Sequence, residues 1–310
     1  MRVYLDNAAT TQIAPEVIDY MSELMKSDYA NPSSIHHGGR KSRIIIENAR
    51  KKVSSFLNTS PGNIFFTSGG TEADNMAIRC GILDNNISHA ITSSISHKAV
   101  IYPLEELRDK NKITLNYIKF DNNGKIDIAH LEELLKNSPR TFVSIMHANN
   151  EIGTIQPIIE IGDLCKKYNA IFHCDTVQTM AHYPIDLQKI NVDFITGSAH
   201  KFHGPKGVGF IYISDNIDIE PFISGGSQER NMRAGTENVH AIAGLAKAME
   251  LSYENMDNDK EYISQIKKHM INQLKLNIND VQFNANCTDF DSSLFKILSV
   301  SFPKISESLF

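Results

Sequence analysis

The sequence of 310 residues has no long apolar run and no closely spaced pair of cysteines. None of its apolar runs approaches the roughly 18 residues that a membrane-spanning helix requires, so no such helix is predicted. Asp6 interrupts the N-terminal stretch before an apolar core develops, so we expect no secretory signal and predict a cytoplasmic protein. Without a C-x-x-C pair, neither a zinc site nor a redox motif is indicated. The four cysteines are Cys80, Cys165, Cys174 and Cys287.

A strong excess of one charge is also missing. The formal net charge of -5 gives no general attraction to nucleic acid or to anionic membranes, so neither partner is predicted. The histidines do not favour a zinc hydrolase, because the pairs His36–His37 and His200–His203 lack a third ligand at a useful spacing. The length is sufficient for one large domain and a smaller one.

The prominent feature of the sequence is an alternation of short apolar runs with longer amphipathic stretches. Amphipathic patterns predict helices over residues 41–57, 128–135 and 158–168. Strands that alternate with helices predict an α/β fold with a mostly parallel sheet. The predicted strands cover residues 64–66, 90–92, 114–118, 142–146, 170–173, 194–196 and 208–213.

The composition changes after about Met256, where lysine and asparagine become frequent. A helix over residues 260–274 and strands over 281–283 and 297–301 predict a second, smaller α+β unit. We therefore divide the chain into a large domain, residues 14–256, and a small domain formed by residues 1–13 and 257–310.

Lys201 is the last residue of the segment TGSAHK, which begins at the end of a predicted strand. A lysine at a strand end lies at the carboxyl edge of the sheet, where α/β proteins place their ligands. Its amine can form an imine with a carbonyl cofactor. A surface lysine in a polar loop remains the alternative for such a residue in isolation.

Asp175 follows another predicted strand. A carboxylate there can keep the ring nitrogen of pyridoxal 5′-phosphate (PLP) protonated through a charge-assisted hydrogen bond, which the cofactor needs to withdraw electrons. Gln178 and Asn149, the latter just after strand 142–146, are candidate partners of the phenolic oxygen of PLP. A helix-capping aspartate and an asparagine-rich turn are the alternatives.

A glycine-rich turn over residues 67–72, TSGGTE, runs from a predicted strand into a helix. Such a turn presents free backbone N–H groups to a phosphate, and Thr71 adds a hydroxyl. The turn lacks the lysine of a P-loop, which disfavours nucleotide binding. His97, at the start of another helix, is a candidate to stack on a pyridine ring and to exchange protons. An ordinary turn and a structural histidine are the alternatives.

Several motifs in fixed order resemble the NifS/IscS-type cysteine desulfurases, which belong to the class V aminotransferase group of fold-type I PLP enzymes. The resemblance covers essentially the whole chain. It implies a homodimer with a mostly parallel central sheet flanked by helices, plus a smaller C-terminal α+β domain that is incomplete here. The matching segments are residues 4–11, 31–36, 67–75, 144–153, 175–178, 197–209, 225–229 and 233–238.

The resemblance also implies a role for each site residue. Lys201 would bind PLP covalently and, with His97 stacked on the ring, shuttle protons. Asp175 would face the ring nitrogen, Gln178 and Asn149 the phenolic oxygen, and Asn7 would lie near the substrate. The phosphate would be held by Gly70, Thr71, Ser198 and His200, with Thr236 reaching it from the neighbouring subunit.

The implied reaction converts L-cysteine to L-alanine and passes the sulfur, as a persulfide, to iron–sulfur scaffold or tRNA-thiolation proteins. In this family the accepting cysteine, and an arginine for the substrate carboxylate, follow the segment matched by residues 300–310. None of the four cysteines occupies that position, and Cys287 lies too early. We therefore expect the 310-residue chain alone to lack desulfurase turnover.

Three other functions stay open at this point. Two are further class V activities, selenocysteine lyase and aminotransferase, which need no loop thiol. The third is a non-catalytic scaffold that dimerises with a longer relative or docks sulfur-transfer proteins. The joint presence of Lys201 and Asp175 argues against a pure scaffold, because nothing structural requires both.

Overall fold

The computed structural model describes residues 3–303, and within them a seven-stranded sheet forms the centre of the fold. Its strand order is β1-β7-β6-β5-β4-β2-β3, and β7 alone runs antiparallel to its neighbours. The predicted mostly parallel sheet is confirmed, with every strand end within two residues of its predicted position. The strands are β1 Ile64–Thr67, β2 His89–Ser93, β3 Thr114–Ile118, β4 Thr141–Met146, β5 Ile171–Asp175, β6 Phe194–Ser198 and β7 Gly209–Ile213.

Helices cover both faces of the sheet. One apolar cluster joins α3 and α4 to one face, and a larger cluster joins α1, α2, α5, α6 and α7 to the other. Because the central strands are buried on both faces, they appear in the sequence as continuous apolar runs. The helices are α1 Pro15–Ser27, α2 His37–Phe56, α3 Gly70–Leu83, α4 Lys98–Asp109, α5 Ile128–Lys136, α6 Ile158–Lys167 and α7 Val239–Asn277.

The long helix α7 runs through the predicted boundary between the two domains. The predicted helix 260–274 is continuous with the residues before it, because no proline interrupts the stretch Val239–Asn277. The predicted boundary after residue 256 therefore falls inside a helix, and the division into two domains stays a prediction. In the described part of the chain no helix is long and apolar enough to cross a membrane.

The C-terminal segment forms a two-stranded antiparallel sheet of β8 Gln282–Phe283 and β9 Val300–Ser301. The strand predicted at 281–283 is confirmed, whereas the one predicted at 297–301 is confined to its last two residues. The segment before β9 lies against the loop that follows β4, since Leu294 N donates to Gly153 O at 2.8 Å. The ends of the predicted small domain, residues 1–2 and 304–310, lie outside the described residues, and so does most of the segment 300–310.

Candidate active site

A cavity of about 420 Å³, the main cavity, opens at the carboxyl edge of the sheet. The carboxyl ends of β4, β5 and β6 meet there, and α3 begins beside them, as expected for a ligand site in an α/β fold. The fold thus brings together most of the predicted site residues. Those that line the main cavity are Gly70, Thr71, His97, Asp175, Gln178, Ser198, His200 and Lys201.

Lys201 ends the short 3-10 turn Ala199–Lys201, which directly follows β6. Its Nζ donates hydrogen bonds to the main-chain oxygens of Ala8, at 2.7 Å, and Ala9, at 2.9 Å. Burial lowers the pKa of the amine, against the attraction of Asp175 and Asp6. A lowered pKa increases the neutral fraction of the amine, which is the form that attacks a carbonyl group.

Asp175 is the last residue of β5 and is almost fully buried. Its Oδ1 accepts a hydrogen bond from Val177 N at 2.9 Å. Burial and the neighbouring Asp74 raise the pKa of the carboxyl group to about 7. A buried carboxyl group with a raised pKa is stabilised as an anion by a cation placed against it. A protonated ring nitrogen is such a cation.

The N-terminus of α3 forms one end of the main cavity. Gly69 has a φ of 155°, and a Cβ on Gly70 would lie only 2.8 Å from Val177 Cγ2, so both positions need glycine. The helix start offers N–H groups and a positive dipole end to an anion. Burial, Lys201 and Lys206 lower the pKa of His200 to about 4, which keeps its ring neutral. This end of the cavity fits a phosphate group.

His97 caps α4, and its Nδ1 accepts a hydrogen bond from Ala99 N at 3.1 Å. The structural role considered for this histidine is therefore present, and the residue lines the main cavity as well. Because Nδ1 is the acceptor, a neutral His97 carries its proton on Nε2. Gln178 Nε2 donates to Ala8 O at 3.0 Å, which leaves Oε1 buried with no hydrogen-bond partner among residues 3–303.

Asn149 does not line the main cavity. Its Nδ2 donates to Ile95 O at 2.8 Å, and its Oδ1 accepts from the backbone N–H groups of Glu151 and Ile152. The side chain thus shapes the turn, which is the alternative that the sequence left open. Its neighbour Asn150 lines the cavity instead.

Asn7 and Thr236 also lie outside the main cavity lining. Asn7 is exposed and donates to Tyr4 O at 3.3 Å, although its neighbours Asp6 and Ala8 line the cavity. Thr236 is exposed on the loop before α7. Its expected contact is with a neighbouring subunit, so within one chain the role of Thr236 stays a prediction.

Two residues of the site were not singled out from the sequence. Asp74 lines the main cavity one helical turn after Gly70, at the i+4 spacing that shares a helix face. That spacing was a usable signal. Lys206 lines a smaller adjoining cavity together with Ser68, Gly69 and His200, and it adds positive charge at the phosphate end.

The comparisons with known proteins agree with this geometry. The model of the aminotransferase class-V family matches residues 3–309. Cysteine desulfurase IscS of Dictyoglomus turgidum is 45% identical over 279 residues, which are 89% of this chain and 70% of the relative. Putative cysteine desulfurase IscS 1 of Bacillus subtilis is 39% identical over 307 residues, 98% of this chain and 80% of that protein.

Solved structures show the same fold. A NifS-like protein superimposes with a TM-score of 0.91 at 38% identity, covering 98% of this chain and 83% of its own. The structure of SspA in complex with cysteine superimposes with a TM-score of 0.86 at 31% identity. The match covers 97% of this chain and 84% of SspA. Fold and site thus define a PLP-dependent enzyme of fold-type I. Within that class, the chain belongs to the aminotransferase class-V family.

Proposed function

We propose that the chain is a PLP-dependent cysteine desulfurase, which converts L-cysteine to L-alanine and passes the sulfur on as a persulfide. The observation that carries the proposal is that Lys201 and the buried Asp175 line one cavity, with the start of α3 at one end. The names of the relatives, and the structure of SspA with cysteine, support L-cysteine as the substrate.

The residues of the main cavity account for each part of the cofactor. Lys201 would bind PLP covalently, Asp175 would face the ring nitrogen, and His97 the ring. Gln178 would lie on the side of the phenolic oxygen. When bound, PLP supplies the electron withdrawal that stabilises negative charge on the substrate carbon. The residues that would hold its phosphate are Gly70, Thr71, Ser198 and His200, with Thr236 of a second subunit.

Lys201 and His97 would move the protons of the reaction. The amine of Lys201 has a lowered pKa, so it can accept a proton from the substrate carbon and return it. His97 holds its own proton on Nε2, because Nδ1 is occupied by Ala99 N. The carbonyls of Ala8 and Ala9 hold the Lys201 amine near the carboxyl end of β6 between these transfers.

The thiol that accepts the sulfur is not supplied by the cysteines of residues 3–303. All four are buried and unpaired, and none lines the main cavity. Burial raises the pKa of Cys80 to about 12 and that of Cys174 well above its ordinary range, which disfavours the reactive thiolate. The accepting thiol would therefore come from elsewhere, and the chain alone would show little turnover.

Homodimerisation, sulfur-acceptor proteins and a cytoplasmic location complete the proposal. Tyr29 and Ile35 are 84% and 90% accessible, and a second subunit would cover exposed apolar side chains of this kind. The acceptors would be an iron–sulfur scaffold or a tRNA-thiolation protein. Four unpaired cysteines fit a reducing compartment.

The direct test adds L-cysteine to the PLP-loaded protein, with the protein stripped of PLP as the control. We expect the visible absorption to change on addition of L-cysteine, and alanine to form once a small dithiol is supplied as acceptor. Transfer of the amino group to a keto acid, with no alanine from cysteine, would instead identify an aminotransferase. Alanine from selenocysteine but not from cysteine would identify a selenocysteine lyase.

Replacing Cys287 with serine is expected to leave this dithiol-dependent formation of alanine unchanged within about twofold. Cys287 is fully buried, and its Sγ donates to Ser299 O at 3.2 Å, a bond that a serine hydroxyl can also make. Initial rates of alanine formation for Cys287→Ser and the wild type provide the comparison. A rate in Cys287→Ser at least tenfold lower would show that Cys287 accepts the sulfur.

A further inference from the structure

A row of buried polar side chains crosses the sheet directly below the main cavity. In the strand register Thr92 lies beside Ser144, and Ser144 beside His173. Thr92 Oγ1 donates to Ser144 O at 2.8 Å, and Ser144 Oγ lies 2.8 Å from His173 Nδ1. All three residues are fully buried in a sheet whose other side chains are mostly apolar. Buried polar groups of this kind are costly unless they are hydrogen-bonded.

Asp74 of α3 lies at the end of this row, and it faces the main cavity. Its Oδ1 accepts a hydrogen bond from Thr196 Oγ1 at 2.7 Å, and Thr196 is the register partner of Asp175. His173 Nε2 is 3.4 Å from the same oxygen but makes no hydrogen bond within the described residues. Asp74 is 2% exposed, and among residues 3–303 Thr196 is its one hydrogen-bond donor, against up to four acceptor sites on the carboxylate. That environment suits a neutral carboxyl group better than an anion.

Asp175 is the better placed of the two carboxyl groups to carry charge. It accepts a backbone hydrogen bond from Val177 N and attracts the amine of Lys201, whereas Asp74 accepts from Thr196 and has no such cation among the described residues. Burial raises the pKa of Asp74 to about 7. Burial and the neighbouring Asp74 raise the pKa of Asp175 to a similar value. Two adjacent buried carboxyl groups do not both ionise readily.

The other titratable groups around Asp74 do not compensate its charge. Burial lowers the pKa of His173 to about 4 and raises that of Cys174, so both are neutral near pH 7. Of the strands packed against α3, β1, β4 and β6 carry no titratable side chain, and β7 carries only a tyrosine. From α4, Glu106 is paired with Arg79 at the other end of α3. His97 and Lys201 line the main cavity together with Asp74.

We propose that Asp74 is a positioning residue of the cofactor site, which keeps its proton and thereby leaves the negative charge of the pair on Asp175. The inference rests on the proposed function, because it assigns to Asp175 the contact with the ring nitrogen. Thr196 holds the neutral Asp74 in place, and His173 with Ser144 fills the space behind it. The strength with which the ring nitrogen keeps its proton is then set by one carboxylate.

The first test compares Asp74→Asn with the wild type in the cofactor-free protein. A carboxyl group whose pKa rises on folding, from 3.8 to about 7, binds more protons in the native state than in the unfolded state. Its contribution to stability is therefore lost progressively as the pH rises between these two values. Asparagine cannot ionise and still accepts from Thr196. We expect the melting temperature of Asp74→Asn, relative to the wild type, to increase by roughly 3 °C between pH 5 and pH 8.

Asp74→Ala is the matched control, since it removes the charge and the acceptor together. It is expected to melt below Asp74→Asn at both pH values. The inference would be overturned if the melting temperatures of Asp74→Asn and the wild type differed by the same amount at pH 5 and pH 8. The contribution of a purely structural Asp74 to stability would not change with pH in this range.

The second test detects the proton itself in the PLP-loaded protein. The infrared spectrum of the wild type at pH 7 is expected to contain a carboxylic acid C=O band that the spectrum of Asp74→Asn lacks, so the band should appear in the difference between the two spectra. In Thr196→Val the band should persist at a shifted frequency, because the hydrogen bond to Asp74 is removed. A band unaffected by Asp74→Asn would overturn the inference. If the wild type binds no PLP, the proposed function fails, whereas the melting comparison still tests whether the pair of Asp74 and Asp175 holds a proton in the folded protein.

Discussion

Replacing Lys201 with alanine is expected to abolish the visible absorption band of the lysine imine in the PLP-loaded protein and to lower alanine formation from L-cysteine at least about a thousandfold. The variant loses the amine that would bind the cofactor and the group that would move the substrate proton. Alanine also lacks the Nζ that donates to the Ala8 and Ala9 carbonyls. Absorption spectra and initial rates on the same preparations measure the two effects.

Two further lysine variants test whether imine formation at Lys201, and not its positive charge, produces the visible band. Lys201→Arg keeps the positive charge and hydrogen-bond donors but forms no stable imine, so it should also lack the visible band. Lys189 is exposed and pairs with Asp186 outside the main cavity, so Lys189→Ala should keep both the band and the rate. An unchanged band in Lys201→Ala would refute the assignment of this lysine.

Replacing Arg50 with methionine is expected to lower the free energy of unfolding by about 3–5 kcal/mol, the cost of leaving one partner of a buried ion pair alone. Arg50 is 1% exposed and binds the Glu229 carboxylate through both terminal nitrogens, at 2.8 and 2.9 Å. Its guanidinium also donates to Ile64 O and lies 4.8 Å from the ring centroid of Phe66. Methionine retains the apolar stem and none of these polar contacts.

The partner of Arg50, Glu229, lies in a strained turn. Glu229 and Arg230 have φ values of 43° and 57°, in the left-handed region that non-glycine residues rarely adopt. Glu229 Oε2 also accepts from Phe66 N at 2.8 Å, so the ion pair fastens the turn to β1. Urea unfolding of Arg50→Met, Glu229→Met and the double variant measures the coupling. A double variant as unstable as the sum of the two single ones would show that the pair contributes no coupling.

The core of the site was predictable from the sequence because it depends on strand ends. Lys201 and Asp175 each follow an apolar run, and the ends of neighbouring parallel strands necessarily meet at one edge of the sheet. The position of Gly70 at a helix start follows from local turn chemistry in the same way. These features require the order of elements along the chain and little knowledge of how side chains pack.

The remainder depends on side-chain direction and tertiary contact. Asn149 follows a strand just as Asp175 does, yet its side chain turns back onto the backbone of its own loop. Asp74 gains its place only when α3 packs on β5 and β6, which composition does not reveal. The long helix α7 was divided at residue 256 because the composition changes there, but a change of surface residues does not break a helix.

The hydrogen bonds from Lys201 to the carbonyls of Ala8 and Ala9 join residues that are about 190 positions apart in the chain. Ala8 and Ala9 thus complete a pocket that is lined by the ends of β4 to β6, which are translated much later. Contacts of such high sequence separation close a large loop and form late in folding. A partly folded chain would therefore display Lys201 without its two oxygen acceptors, and the ability to bind the cofactor would arise when the segment around Ala8 and Ala9 docks.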